Sequence, residues 1–163
     1  MIPAVIGALT VIGALLHLLV SKTPRTPERV AEVLLLYVLV IGFGLQSAVG
    51  FAGHVFYPQQ AADQVGWPGN GLFQFEVGIA NLGIAVTGLL CIFLRGGFWA
   101  ATAVNASVFY FGTGIGHIRQ AIHSGRGIFE AGPILICDFL LPVVALGLLT
   151  GYMSLIAGRS RAV

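Results

Sequence analysis

The sequence predicts an all-α membrane protein, a bundle of five transmembrane helices that forms a single domain over residues 1–163. Hydrophobic residues make up 57% of the chain and charged residues only 9%, whereas a soluble domain carries about 25% charged residues. The mean hydropathy of +0.94 agrees with a chain solvated by lipid. Such a chain cannot cover a water-facing surface, which excludes a soluble enzyme, a nucleic-acid-binding protein and a disordered chain.

Five stretches reach the length of about 20 mostly apolar residues that a membrane-spanning helix needs. They cover residues 2–20, 31–56, 72–94, 98–123 and 134–157. The first has no basic residue ahead of its apolar run and no small-residue cleavage pattern, so we expect it to be retained as a helix. Thr26 and Pro27 suit the start of the second helix, and Gly96-Gly97 suits the turn between the third and fourth.

Basic residues are distributed unequally between the connections. Those after the first, third and fifth spans carry Lys22, Arg25, Arg29, Arg95, Arg159 and Arg161. The other two connections carry Asp63 alone, and Arg126 against Glu130. Because basic residues favour the cytoplasmic side, we expect the N-terminus outside and the C-terminus in the cytoplasm of a multi-pass protein of the plasma (inner) membrane. If the first helix lies in the interface instead, four spans keep the same orientation.

Ionisable residues inside the spans mark the candidate site, since a charge at mid-bilayer costs about 2.5–3.5 kcal/mol on insertion scales. At about 1.5 Å of rise per residue, Glu76, Asp138, His117 and His54 lie at one level beneath the outer surface. Polar residues that would orient them are Gln46, Gln74, Asn81, Tyr110 and Gln120. Together these side chains predict a polar pocket, capable of holding an ion or a metal, near the extracytoplasmic face.

Pro142 lies four residues after Asp138 and cannot donate a backbone hydrogen bond to its carbonyl oxygen. The predicted kink exposes a second acceptor beside the carboxylate, which suits a metal, a proton or a donor from another helix. In the simpler interpretation, Pro142 only bends the span, and a water or hydroxyl fills the gap.

Three interpretations of the pocket are open. Two carboxylates and two imidazoles suit a divalent metal such as zinc, manganese or iron, and the candidate ligands are Glu76, His117, Asp138 and His54. However, the sequence lacks the Glu-x-x-His pairs of carboxylate-bridged bundles, and Glu76 points about 140° away from Asn81 on its helix. A hydrogen-bonded network without metal is the second interpretation. A haem between His54 and His117 is the third, and it leaves the carboxylates unexplained.

Two further pairings follow from the predicted depths. His17, near the inner end of the first span, is expected to pair with Glu32. Cys91 and Cys137 are expected near opposite ends of their spans, too far apart for disulfide geometry.

Two segments carry a family resemblance. Trp67 to Asn81 follows the pattern W-P-x-N-x-x-F-Q-x-E-V-G-x-A-N, and Gly116 to Gln120 follows G-H-I-x-Q. Both resemble motifs of an uncharacterised family of small bacterial polytopic membrane proteins, and the resemblance covers roughly residues 35–150. It implies a bacterial helical membrane protein and no particular activity. The chain is also similar to the DoxX-like four-helix membrane proteins in size and hydropathy alone, which transfers no function.

Three functions are consistent with these observations, and whether the protein is an enzyme is left open. In the first, the pocket serves small-ligand or redox chemistry, either metal-assisted or quinone-linked, because nothing resembles an activated nucleophile. In the second, stripes of small residues dock a non-catalytic accessory subunit onto a larger membrane complex. In the third, the chain is a small transporter that oligomerises. The expected partners are the lipid bilayer and a homo-oligomer or larger complex, without nucleic acid.

Overall fold

The computed structural model describes residues 2–67, 69, 71–125 and 132–161, and every regular element within these ranges is a helix. Six helices follow one another in this part of the chain. They are α1 (Ile2–Val20), α2 (Pro27–Phe56), α3 (Pro58–Val65), α4 (Gly71–Leu90), α5 (Gly97–His123) and α6 (Gly132–Arg161). Pro68, Asn70, Arg126 and Glu130, which the sequence analysis used, lie outside the described residues.

Four of these helices are long and apolar enough to cross a membrane, judged by length and composition: α1, α2, α4, and α6 between Ile134 and Arg159. The prediction of five spans is therefore confirmed for four. The fifth, α5, is 27 residues long, but polar side chains such as Asn105 and His117 interrupt its apolar sequence. The helix count is six rather than five because Pro58 begins the short helix α3 in a connection that the sequence analysis treated as a loop.

The helix ends follow local sequence signals. The side chain of Thr26 accepts a hydrogen bond from the backbone N–H of Arg29, and Pro27 occupies the first turn, where its missing N–H costs nothing. The capped start of α2 is therefore confirmed. Gly66 (φ 70°) ends α3 and Gly96 (φ 65°) precedes α5, and both have the left-handed backbone that glycine adopts without strain.

Helix α2 contains a π-helical stretch from Val38 to Leu45 that the sequence analysis did not predict. Its backbone lies against α4, because a Cβ atom at Gly88 would come within 2.7 Å of the Cα atom of Gly44. π-Helical turns are rare and frequently adjoin functional sites. This stretch ends directly before Gln46, the first residue of the candidate pocket.

The helices associate as two close pairs. The C-terminal half of α2 packs against α4, and α5 packs against α6, whereas α4 and α5 touch little. At the other end of the molecule, the first turns of α2 pack on α6 and join the pairs through a hydrophobic core. The core includes Leu35, Leu39, Phe43, Trp99, Ala145 and Leu149. The space for a site therefore lies between the pairs, at the end away from this core.

The basic connections meet at one end of the bundle. Glu32 accepts hydrogen bonds from Arg29 at 2.9 Å and Arg95 at 2.5 Å. Residues of the connection after α1 and the last turns of α6, including Arg159, surround one cavity there. The expected pairing of His17 with Glu32 is wrong, because the His17 ring contacts Arg29 at 3.2 Å and leaves Glu32 to the two arginines.

Candidate functional site

A polar cavity lies between the two helix pairs. It consists of two adjoining volumes of about 440 Å³ and about 380 Å³, which share Gln46, Gly50, His54, Tyr110, His117, Ile134 and Asp138. Helices α2 and α4 form one wall of the larger volume, and α5 and α6 form the facing wall. The smaller volume extends to the first residues of α1 and to α3. Residues from all six helices thus surround the polar cavity.

His117 and Asp138 form a close pair on the wall made by α5 and α6. Nδ1 of His117 lies 2.8 Å from Oδ2 of Asp138, and the two side chains are only 14% and 8% exposed. Gly114 allows this approach, since a Cβ atom there would lie 3.0 Å from the Cβ atom of Asp138. An ionised Asp138 can only accept this hydrogen bond, which places a proton on Nδ1. In a singly protonated ring, Nε2 then keeps its lone pair.

His54 and Gln74 form a second pair on the facing wall. Nδ1 of His54 lies 2.5 Å from Oε1 of Gln74, whose side chain is almost completely buried. Gly78 brings α4 close to this turn of α2, because a Cβ atom there would lie 2.6 Å from a methyl carbon of Val55. The amide oxygen accepts from Nδ1–H. The polar cavity thus contains two oriented imidazoles, one held by a carboxylate and the other by a neutral amide.

Three further predicted residues line the polar cavity. Asn81 donates to the carbonyl oxygen of Val77 at 3.0 Å, and the hydroxyl of Tyr110 lies 3.1 Å from that of Ser47. Oε1 of Gln46 is buried and has no hydrogen-bond partner among the described residues. Buried polar atoms in native proteins are nearly all paired, so the Gln46 oxygen marks an unfilled position for a donor.

Two predicted residues lie elsewhere. Gln120 donates from Nε2 to the carbonyl oxygen of Gly66 at 2.7 Å and thereby ties α5 to the end of α3, without lining the polar cavity. Glu76 is exposed and lines neither volume. Gln74 and Val77 on the same helix do line the polar cavity, and a step of two residues from Gln74 turns the side chain about 200° around the helix.

The four candidate metal ligands are therefore not assembled. The described residues contain no group of three or more His, Cys, Asp or Glu side chains that could hold a metal ion. Helix α6 continues through Pro142, which is fully buried. The metal interpretation thus has no support from the described part of the chain.

Trp67, the first residue of the resemblance motif, lines the polar cavity. Its ring centroid lies 6.2 Å from that of His117, at an interplanar angle of 67°, and 5.1 Å from that of Phe73. Its indole nitrogen is buried without a hydrogen-bond partner among the described residues. The resemblance motif contains Trp67 and was the one sequence signal that could have placed it here.

The polar cavity is equipped to bind a hydrogen-bonding molecule. Nε2 of each neutral imidazole can accept a hydrogen bond, as can Oε1 of Gln46, and the indole N–H of Trp67 can donate one. A few convergent polar groups on a mainly apolar wall are typical of small-molecule sites.

Four helices able to cross a membrane and a polar cavity between two helix pairs define a helical membrane protein. Residues 1–155 match the model of a family of unknown function, DUF6790, and the chain belongs to this family. Comparisons with curated proteins and with solved structures give no match. The resemblance to an uncharacterised family is thereby confirmed at the coarser level, while the bacterial origin and the roles of the quoted motifs stay predictions.

Proposed function

We propose that this is a multi-pass protein of a bacterial inner membrane that binds a small, neutral, hydroxyl-bearing molecule in the polar cavity. Nε2 of His117 accepts a hydrogen bond from the ligand and is the atom to which a proton would move. The observation that carries the proposal is the buried His117–Asp138 pair on the wall of the polar cavity.

The pairing explains why a bilayer-solvated chain keeps Asp138. A buried carboxylate without a partner is strongly unfavourable, whereas one paired with an oriented donor is tolerated. In this pair, the carboxylate uses only Nδ1 of His117. The second ring nitrogen is left as a base, so one arrangement both stabilises Asp138 and supplies an acceptor.

The lining indicates a neutral ligand with a flat ring. No Lys or Arg is among the described residues that line either volume, so an anionic group would lack a counter-charge. Trp67, Phe73, Phe109 and Tyr110 present aromatic surface, against which a ring can stack. The acceptors at His54, His117 and Gln46 suit hydroxyl donors. A hydroquinone meets these requirements because it has a flat ring with one hydroxyl at each end.

The test uses 2,3-dimethoxy-5-methylhydroquinone and protein labelled with ¹⁵N-histidine in detergent micelles. We expect a saturable chemical-shift change at Nε2 of His117. Asp138→Asn should weaken binding up to about tenfold, because it lessens the preference for the Nδ1–H tautomer and with it a ligand hydrogen bond that contributes about 0.5–1.5 kcal/mol.

The matched control is Glu76→Gln, which neutralises an exposed acid outside the polar cavity and should leave the affinity unchanged. A shift that does not saturate, or equal losses in Asp138→Asn and Glu76→Gln, would contradict the proposal.

The proposed orientation has five spans, with the N-terminus outside and the C-terminus in the cytoplasm. It is supported by the meeting of Arg29, Arg95 and Arg159 at one end of the bundle, because basic residues favour the cytoplasmic side. The polar cavity lies toward the other end, beside α3, and therefore beneath the extracytoplasmic face.

Single cysteines test this orientation in a chain whose two native cysteines are replaced by alanine. In bacterial spheroplasts, a membrane-impermeant maleimide should label Asp63→Cys on α3 and spare Thr23→Cys at the opposite end of α2. Labelling of Thr23→Cys but not of Asp63→Cys would overturn the orientation and would leave the ligand proposal unaffected.

A further inference from the structure

We infer that the ligand is a single-tailed amphiphile, a hydroquinone whose ring lies in the polar cavity and whose alkyl or isoprenoid tail lies in an apolar groove beside it. This inference rests on the proposed function and extends it to the class of lipid that the protein binds. Two observations support it: an apolar groove that the proposed function does not use, and Gln46, which lines both this groove and the polar cavity.

The tail groove is a volume of about 170 Å³ between α1, the π-helical stretch of α2, and α6. Apolar side chains such as Ile6, Val38 and Leu141 line it. The hydroxyl of Thr10 also faces this region, but it donates to the carbonyl oxygen of Ile6 at 2.9 Å and leaves no unpaired donor. A hydrocarbon chain can bind to this apolar surface without hydrogen bonds, whereas a polar molecule would need hydrogen-bond partners.

The tail groove adjoins the polar cavity and shares lining residues with it. Gln46 lines the groove and both volumes of the cavity, and Pro3 and Cys137 line the groove and the smaller volume. The unpartnered oxygen of Gln46 therefore lies at the junction between polar and apolar surface. A ligand with a hydroxyl-bearing ring and a tail on that ring would satisfy this oxygen and fill both spaces.

The tail groove also has an outlet. Val11, Leu140 and Val144 line it and are themselves exposed on the outer surface of the helices. In a bundle surrounded by lipid, such side chains face hydrocarbon. A tail longer than the groove can therefore continue into the bilayer, so the site admits chains of different length and distinguishes lipids by the head.

Gly7 allows the tail groove to be blocked selectively. It lines the groove, and a Cβ atom at this position would meet no protein atom within 4 Å. Gly7→Leu should therefore narrow the groove, since its Cβ atom meets no neighbour. Gly83→Leu is the matched control, because Gly83 is exposed, has the same free space and lines none of the cavities described above.

The experiment compares 2,3-dimethoxy-5-methylhydroquinone with its 6-decyl derivative, using the His117 ¹⁵N titration. We expect the decyl compound to bind at least tenfold more tightly to the unaltered protein and to Gly83→Leu, since burial of each methylene adds affinity. In Gly7→Leu the advantage of the tail should disappear, while binding of the tail-less compound stays unchanged.

Each result decides between the two proposals. If both compounds bind with equal affinity to the unaltered protein, the tail groove is overturned and the proposed function stands. If the decyl advantage persists in Gly7→Leu, the advantage comes from partitioning into the micelle, and the groove is again overturned. If neither compound shifts His117, the proposed function fails, and this inference fails with it.

Discussion

A double-mutant cycle on His117 and Asp138 measures the interaction on which the site depends. The two residues are replaced by alanine, singly and together. In His117→Ala, the carboxylate of Asp138, which is 8% exposed, loses its hydrogen-bond donor, and a buried polar group left without a partner costs about 1–3 kcal/mol, or more when it is charged. The double variant leaves no such charge behind. The losses of stability in the two single variants should therefore add up to more than the loss in the double variant.

The expected coupling free energy follows from the geometry. Nδ1 and Oδ2 are 2.8 Å apart, a distance typical of charge-assisted hydrogen bonds. Such bonds contribute about 1.5–3 kcal/mol, whereas hydrogen bonds between transmembrane helices average about 0.6 kcal/mol in double-mutant cycles. A coupling of about 1.5–3 kcal/mol would show that Asp138 interacts with His117 as a carboxylate.

The control cycle uses Ser47→Ala and Tyr110→Phe. Their hydroxyl oxygens lie 3.1 Å apart, and Tyr110 lines the same cavity. Because neither group carries a charge, a coupling near 0.6 kcal/mol is expected. The assay for both cycles is reversible unfolding in mixed micelles with increasing sodium dodecyl sulfate, followed by circular dichroism. A coupling between His117 and Asp138 no larger than that of the control would refute the reasoning.

Three further predictions concern parts of the bundle outside the polar cavity, and unfolding in mixed micelles checks each of them. Gly88→Ala should destabilise the protein by about 1–3 kcal/mol, since the new Cβ atom would lie 2.7 Å from the Cα atom of Gly44; Gly83→Ala, with free space around it, should be neutral or slightly stabilising. Glu32→Gln removes two ion pairs with arginines, and both pairs are partly exposed. Because such pairs contribute about 0–1 kcal/mol each, we expect a loss of stability of no more than about 2 kcal/mol. A larger loss would contradict this expectation. Trp99→Phe leaves a buried backbone carbonyl without the indole N–H that lies 2.9 Å away, and we expect a loss of about 1–3 kcal/mol; an unchanged stability would mean that this bond contributes nothing.

Much of the fold could be predicted because lipid imposes simple requirements on a chain. The apolar stretches predicted the positions of the long helices, and Thr26-Pro27 indicated where α2 begins. The π-helical stretch was missed because its sequence is uniformly apolar, and its geometry depends on the close contact of Gly44 with α4. Helix α3 was missed because eight residues of mixed polarity give no span signal.

The candidate site shows that depth along a helix does not by itself predict which side chains line one cavity. Depth grouped Glu76 with His54, His117 and Asp138, although the exposed Glu76 lies outside the polar cavity. Position around the helix axis decides which residues converge, and the 140° angle from Asn81 already indicated this conflict. The partners of the histidines could not be predicted from sequence, because they depend on glycines that bring particular turns together, such as Gly114 against α6.

The ¹⁵N spectrum of the His117 side chain in ligand-free protein, at a pH where the ring is neutral, shows directly which ring nitrogen carries the proton. We expect a proton on Nδ1, which lies 2.8 Å from Oδ2 of Asp138, and an unprotonated Nε2. In Asp138→Asn, this preference for the Nδ1–H tautomer should weaken, whereas Glu76→Gln should leave it unchanged. A proton on Nε2 in the unaltered protein would contradict the proposal, because Nε2 of His117 could then not accept a hydrogen bond from a ligand.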